Sequence, residues 1–311
     1  MDPLSDMISF LRPHDCVAAG LDAGGDWSIR FEAHAGIKCN AILKGECRLK
    51  VDGLNETIRL NEGDCFILPK GRPFLLSVQN ARFGESAEII YAPVSHGGTA
   101  VYGEGGDFFM TGSRFLMSGP TADFLLSPLP AAMIVRQGMR QESLVWSLDR
   151  IAEELRCPNP GSALSIAHLS HLVLIFVLRL YLQENPAPTQ GWLAAVADRH
   201  INNALIAIHD NPARSWTVQD LASHAGLSRT AFSERFRKTV NQTPMTYLTQ
   251  LRMMFAADRL CRTDAPVARI AEDVGYKSEG AFAVAFKRTM GCSPRRYAQT
   301  IARPSSWDPN F

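Results

Sequence analysis

A chain of 311 residues with a formal charge of +1 is long enough for two domains with separate cores, and its ordinary apolar content excludes a disordered chain. Its seven cysteines, at 16, 39, 47, 65, 157, 261 and 292, include no CxxC pair, which excludes a disulfide framework or zinc finger and suits a reducing compartment. The charge is uneven: from Trp192 onward 16 Lys and Arg stand against 10 Asp and Glu, while the preceding residues carry 16 against 21, so the C-terminal part is the one suited to a polyanion.

The N-terminal stretch MDPLSDMISF has no basic segment leading into an apolar run, so no signal peptide is expected and the protein reads as cytoplasmic. Residues 1–12 are predicted to form a short helix ending before Pro13. Residues 15–130 read as β-rich. Short alternating runs at 27–31, 41–43, 47–51, 65–68, 74–78 and 88–91 are separated by turn signals such as Gly24-Gly25, Lys44-Gly45 and Asp52-Gly53. That spacing predicts a small antiparallel barrel or sandwich, bounded by the prolines at 128 and 130.

From Gln141 the period changes. Leu144, Leu148, Ile151 and Leu155 make one helix face, stopped by Pro158. Residues 162–184 make a second helix, apolar on most sides, which must be buried in a core or between two copies of the chain. Its most apolar stretch, 172–178, is bounded by His171 and Arg179 and falls far short of the ~20 residues of a membrane span, so no membrane contact is expected. Residues 186–190 form a short candidate linker, residues 192–209 read as one helix, and Thr217 is a plausible N-cap for the next.

The last third of the chain then states one pattern twice. Val218, Leu221, Ala222, Gly226, Ser228, Phe232, Phe236, Pro244 and Tyr247 recur as Val267, Ile270, Ala271, Gly275, Ser278, Phe282, Phe286, Pro294 and Tyr297. The offset is 49 up to Gly275 and 50 beyond, with Lys277 as the inserted residue. Apolar residues three and four apart, a Gly, and a second helix opened by Ser form a helix-turn-helix pattern. Ser228 and Ser278 would cap the second helices, and the phenylalanines four apart would hold them to the core. The outward face of the first copy then carries Arg229, Thr230, Ser233, Glu234 and Arg237 as candidates for base edges and phosphates. The second copy presents Glu279, Gly280, Ala283, Val284 and Lys287, with Arg288 and Lys277 close by. Hydroxyls and charges give the first copy the directional base readout, whereas Gly, Ala and Val offer shape and thymine-methyl contacts. Between the copies, residues 244–262 read as one helix of about 27 Å at ~1.5 Å per residue, close to the ~34 Å turn of B-DNA. Met253, Met254 and Phe255 are read as core.

On these residues, 192–300 resembles the DNA-binding domain of the AraC/XylS family of bacterial transcription regulators. The second copy carries the resemblance throughout, from Arg269 to Tyr276, through Ala281 to Lys287, and over Ser293 to Tyr297. The resemblance implies a seven-helix domain with two helix-turn-helix units joined by a long helix. It also implies binding to double-stranded promoter DNA and activation through contact with RNA polymerase.

Residues 15–125 resemble the cupin-type sensor domain attached to many such regulators. Lys44-Gly45-Glu46, Asp52-Gly53 and the run from Gly63-Asp64 to Pro69, Gly71 and Phe74 carry it. Phe74 stands where the second cupin motif has a His, and the stretch matching the first motif, 36–42, lacks the paired His ligands. His34 and the cysteines have the wrong spacing for that motif, so no metal, cofactor or catalytic residue is expected. The barrel still offers a pocket for a small-molecule effector. Alternation places Cys39, Ala41 and Leu43 on one face with Cys47, Leu49 and Val51; Cys65 and Phe74 join them as candidate pocket residues.

The sequence thus predicts an α+β, multidomain protein. Residues 1–130 would be a cupin-like effector-binding barrel, 131–190 a helical dimerisation segment and linker, 191–302 an all-α double helix-turn-helix domain, and 303–311 a tail. The expected function is an effector-responsive, dimeric transcription regulator pairing through 139–185. Its alternatives are a regulator sensing oxidants through the N-terminal cysteines, which needs lowered thiol pKa values, and a metal-dependent cupin enzyme, which the absent ligands disfavour.

Overall fold

The computed structural model describes residues 2–10, 16–94, 97–116, 119–139, 142–184 and 190–301. The tail at 303–311 and all but the last residue of the 186–190 linker lie outside them. By contact the chain divides into two units, and the division is not contiguous. One unit comprises residues 11–118 and 129–184; the other comprises 1–10, 119–128 and 185–308.

The first unit holds two β-sheets. Strands β1 (Cys16–Ala23), β3 (Ile37–Lys44), β6 (Cys65–Leu68), β9 (Thr99–Tyr102), β10 (Phe108–Phe115) and β11 (Met133–Val135) form one sheet, in the order β11-β6-β3-β10-β1-β9. Strands β2 (Ser28–Phe31), β4 (Glu46–Val51), β5 (Thr57–Asn61), β7 (Phe74–Ser77) and β8 (Glu85–Ser86) form the other, in the order β5-β4-β7-β2-β8. Most pairs are antiparallel, but β1–β9 and β2–β8 are parallel. The predicted barrel is therefore two facing sheets and not one closed ring. Their inner faces share a core that includes Leu21, Trp27, Ile29, Ile42, Leu49, Phe66, Phe74, Leu76 and Met110. Residues 88–91 are not a strand: they lie in helix α2 (Ala87–Tyr91), which buries Ala87 and Tyr91 and packs Ile90 against the core.

Two further helices complete this unit. Helix α4 (Glu142–Arg156) buries Leu144, Leu148, Ile151 and Leu155, the face that the sequence marks. Helix α5 (Ser162–Glu184) ends where Asn185-Pro186 predicts, and packs on α4, β1 and β11. It buries one stripe that includes Ile166, Ser170, Leu174, Val177 and Leu178. The whole helix, with a mean hydropathy of 1.9 over its best window, is long and apolar enough to cross a membrane, which its central run at 172–178 alone is not.

The second unit is helical. Residues 192–209 do not form a single helix: Asp198 leaves helical geometry at φ −80° and ψ 109°, dividing α6 (Trp192–Ala197) from α7 (Arg199–Asp210). Its carboxylate accepts from the His200 and Ile201 amides, so Asp198 caps α7 while Arg235 pairs with it at 2.8 Å. There follow α8 (Val218–Ala225), α9 (Arg229–Val240), α10 (Pro244–Arg262), α11 (Val267–Asp273), α12 (Glu279–Met290) and α13 (Pro294–Ile301). From Trp192 onward the described residues thus hold eight helices instead of the seven that the resemblance implies, because of the break at Asp198.

Two segments from the first half of the chain belong to this helical unit. Helix α1 (Pro3–Ser9) packs on α7, burying Leu4, Met7 and Ile8. At its centre the buried Asp6 carboxylate meets His209 Nδ1 at 2.7 Å, and His209 Nε2 meets the Tyr247 hydroxyl at 2.9 Å. Helix α3 (Gly119–Leu126) packs on α12; the Trp192 indole donates to the Leu125 carbonyl at 2.7 Å, and Phe124 lies 5.7 Å from the Tyr247 ring. The sequence boundary near 130 misses this because neither short helix can bury its apolar residues alone, and nothing in its own spacing says which surface covers it.

Candidate nucleic-acid interface

Each repeated residue has a visible task. In the first copy Thr217 and Asp220 form a reciprocal capping box: the Asp220 amide donates to Thr217 Oγ1 at 3.1 Å, and the Thr217 amide to Asp220 Oδ2 at 2.9 Å. Gly226 takes the left-handed conformation at φ 66°, and the Leu227 amide reaches back to the Ala222 carbonyl at 3.0 Å, closing α8. Ser228 Oγ accepts from the Ala231 amide and opens α9. Phe232 and Phe236 are fully buried with ring centroids 5.6 Å apart, and Phe236 meets the ring of Tyr247 on α10 at 5.8 Å.

The second copy repeats this frame. Gly275 is left-handed at φ 85°, Ser278 Oγ accepts from the Ala281 amide, and the rings of Phe282 and Phe286 are 5.5 Å apart. Phe286 meets Tyr297 at 5.4 Å. Between the copies α10 buries Tyr247, Leu248, Leu251, Met253, Met254, Ala256, Ala257 and Leu260, with Phe255 half-buried, so the sulfur-containing residues read as core are core.

With the phenylalanines turned inward, α9 presents Arg229, Thr230, Glu234 and Arg237 to solvent, and Lys238 beside them; Ser233 is half-buried. The Ser233 hydroxyl already donates to the Arg229 carbonyl at 2.8 Å, so contact with a base would require it to turn away from its own helix. On α12, Glu279, Gly280, Lys287 and Arg288 are exposed, Ala283 is half-buried, and Val284 is 71% exposed. Lys277 and the capping Ser278 are exposed at the preceding turn.

Ion pairs hold several arginines of this unit. On α10 and α11, Arg259 pairs with Asp273, Arg262 with Asp258 at 3.0 Å, and Arg269 with Glu272 at 3.2 Å and with Asp273 at 3.3 Å. Among the described residues, Arg229, Arg237, Lys238, Lys277, Lys287 and Arg288 have no carboxylate partner. On α9 Arg235 pairs with Asp198, and the exposed cations that remain on α9 and α12 suit phosphate oxygens.

The first unit places the candidate pocket residues differently from the alternation reading. Cys47, Leu49 and Phe74 lie in the core between the sheets with Val51. Cys39, Ala41 and Cys65 do not. The register sets Ala41 opposite Cys65 and Cys39 opposite Ser113, on the outer face of the larger sheet, where Ser113 Oγ donates to Ser170 Oγ of α5 at 2.7 Å. Leu43 has the same parity and is half-exposed. The physical reason is that β3 and β4 belong to different sheets, so parity does not carry across the turn at Gly45, and both faces of β3 are covered.

The thiols are poor redox candidates. Burial pushes Cys16 and Cys47 up to about 12, and raises Cys39 well above its usual value, with Cys65 and Cys16 adding to the effect. A sensing thiol needs the opposite shift. Among the described residues no group of three or more His, Cys, Asp or Glu converges as a metal site.

Sequence reasoning missed what β3 does face inward. Lys38, Asn40 and Ile42 alternate with the outer residues, and Arg114 of β10 stands directly opposite Lys38. Lys38 Nζ lies 4.8 Å from the ring centroid of Phe31 and 5.2 Å from that of Phe74, two rings stacked 4.5 Å apart. Burial, with Arg114 nearby, brings the Lys38 ammonium down to about 7. Burial and the charge of Lys38 bring His34 down to about 4, so His34 is a neutral neighbour whose ring edge meets Phe74. A Lys two residues before an Asn, inside an otherwise largely apolar strand, was the available signal.

Comparison with known proteins bears on both units. Residues 2–183 match the cupin family and residues 221–300 a helix-turn-helix domain family. A putative AraC-like transcription regulator of Streptomyces lividans is 39% identical over 98% of this chain and 100% of its own length. Another from Streptomyces antibioticus is 40% identical over 96% of this chain and 98% of its own. Among solved structures, the DNA-binding domain of AdpA, a global transcriptional factor in complex with a target DNA, is 28% identical over 35% of this chain and 99% of its own, with a TM-score of 0.32.

Proposed function

The chain belongs to the AraC-like transcription regulators and binds DNA, and within that family we propose that it is an effector-responsive activator acting at promoters as a dimer. The observation that carries the DNA-contacting part is that Arg229, Arg237 and Lys238 on α9 and Lys287 and Arg288 on α12 are exposed and, among the described residues, have no carboxylate partner. In this reading Arg229, Arg237, Lys287 and Arg288, with Lys277, engage phosphates. Thr230, Ser233 and Glu234 address base edges through one major groove, and Gly280, Ala283 and Val284 address shape and thymine methyls through the next. Ser228, Ser278 and Glu279 hold and flank the two helix starts, whose free amides also suit phosphate.

The two-sheet unit receives the effector, α4 and α5 pair two copies through 139–185, and the DNA-bound protein contacts RNA polymerase. The exposed Trp146, Leu164 and Leu172 of α4 and α5 support pairing there, since large apolar side chains on a helical hairpin favour a partner surface. Effector binding shifts the population of DNA-competent arrangements by its differential affinity for them.

The test is recovery and sequencing of genomic fragments bound by the purified chain at physiological salt. The expected result is a few enriched sites containing paired half-sites, with contacts recurring each helical turn. Uniform weak recovery that disappears with modest added salt, with or without ligand, would overturn sequence-specific regulation.

A further inference from the structure

Between the two sheets the polar residues are unbalanced in one direction. Lys38 and Arg114, both buried, face each other across neighbouring strands. Among the described residues Lys38 Nζ has no hydrogen-bond or ion-pair partner, only the stacked rings of Phe31 and Phe74. Two residues along the same face, the buried Asn40 leaves its amide nitrogen Nδ2 without an acceptor. On one side of Asn40 stand Gly112 and, beyond it, Ala19, so that side is lined by small residues, while Phe66 flanks Asn40 on the other. A buried cation without an acceptor and an unused amide donor are costly in a protein interior. An acceptor-rich, negatively charged group is the chemistry that removes both costs at once. The ring pair then supplies an apolar surface for whatever carries that group.

We propose that this end of the inter-sheet space binds a small organic carboxylate. Lys38 and Arg114 attract its charge, its oxygens accept from Lys38 Nζ and Asn40 Nδ2, and its body lies against Phe31 and Phe74. The proposal deepens the effector reading and rests on it: it gives the effector a chemical class and places its head group on Lys38 and not on the cysteines. The cation–ring contact that Lys38 makes with Phe31 and Phe74 is the interaction the carboxylate supplements.

The experiment uses the full chain, with acetate, benzoate and octanoate as probes, their neutral amides as controls, and phosphate at matched ionic strength. Thermal shift and calorimetric titration read binding. At least one carboxylate should stabilise the chain where its amide and phosphate do not. Lys38→Met should weaken that binding about tenfold or more, the loss expected for one charge-assisted hydrogen bond. Lys38→Met should also melt no lower than the parent without ligand, since it removes an uncompensated buried cation. Asn40→Asp, which places a carboxylate beside Lys38, should abolish the response in a folded chain and serves if Lys38→Met does not fold. Absence of any carboxylate binding, equal stabilisation by amides or phosphate, or binding that survives both substitutions would overturn the carboxylate site. Genomic recovery repeated with saturating carboxylate separates the two readings. Carboxylate binding with unchanged DNA recovery retires the effector reading and keeps the site. Stabilisation by the amides with changed DNA recovery retires the carboxylate and keeps the effector.

Discussion

The two helix-turn-helix copies share a buried frame and differ at their edges. Phe232 and Phe236 in the first, and Phe282 and Phe286 in the second, are fully buried at nearly the same ring separation. Yet α8 opens on a reciprocal Thr217–Asp220 box, while α11 opens after Pro266 with no side-chain cap. Gly226 has open space where a Cβ would point, whereas a Cβ on Gly275 would meet the Ala213 carbonyl oxygen at 2.4 Å. The first reading helix shows charge and hydroxyl, the second a bare Val284. A duplicated unit keeps what its core demands and is free to change what faces solvent or DNA.

The largest effects should fall on the shared frame. Phe236→Ala and Phe286→Ala should each cost about 3–5 kcal/mol in chemical denaturation, because each empties a fully buried ring site. Costs that differ by more than half would mean the two cores are not equivalent. Next come the turns. Gly226→Ala should cost about 1 kcal/mol, the left-handed penalty alone, while Gly275→Ala adds a backbone collision and should cost clearly more. Equal midpoints for these two variants would break the asymmetry.

The readout comparison is finer. Ser233→Ala combined with Glu234→Ala should relax base preference by about 1–3 kcal/mol at the positions read by α9. Val284→Ala should relax it less; selection from randomised half-sites measures both, and the reverse order would sink the division of roles. Last comes the cap, of the same size as the Gly226 turn. Thr217→Ala should cost about 1 kcal/mol, and no single substitution at the start of α11 has a counterpart to it.

Much of the helical unit was legible in the sequence. Its repeat fixes Gly and Ser at the turn and phenylalanines four apart, and each of these signals is local, within about two helical turns. α5 and α10 were legible to their ends because Asn185-Pro186 and Pro244 punctuate them. The break at Asp198 was not, since a cap within an otherwise helical run announces itself only through the hydrogen bonds it makes. Strands β1 and β10 carry weak alternation because both of their faces are covered in places, and a strand buried on both sides loses its period.

By itself the sequence determined that there is a duplicated DNA-reading frame, that a sheet-rich part precedes it, and that the phenylalanines of the repeat turn inward. Those are consequences of chain-local periodicity, which the backbone enforces wherever the segment sits. Only the tertiary structure decided which face of β3 looks between the sheets, that Lys38 meets Arg114 there, and that α1 joins the helical unit through Asp6 and His209. Each of these depends on a partner tens to hundreds of residues away, and alternation specifies that a strand has two faces without saying what will cover either one.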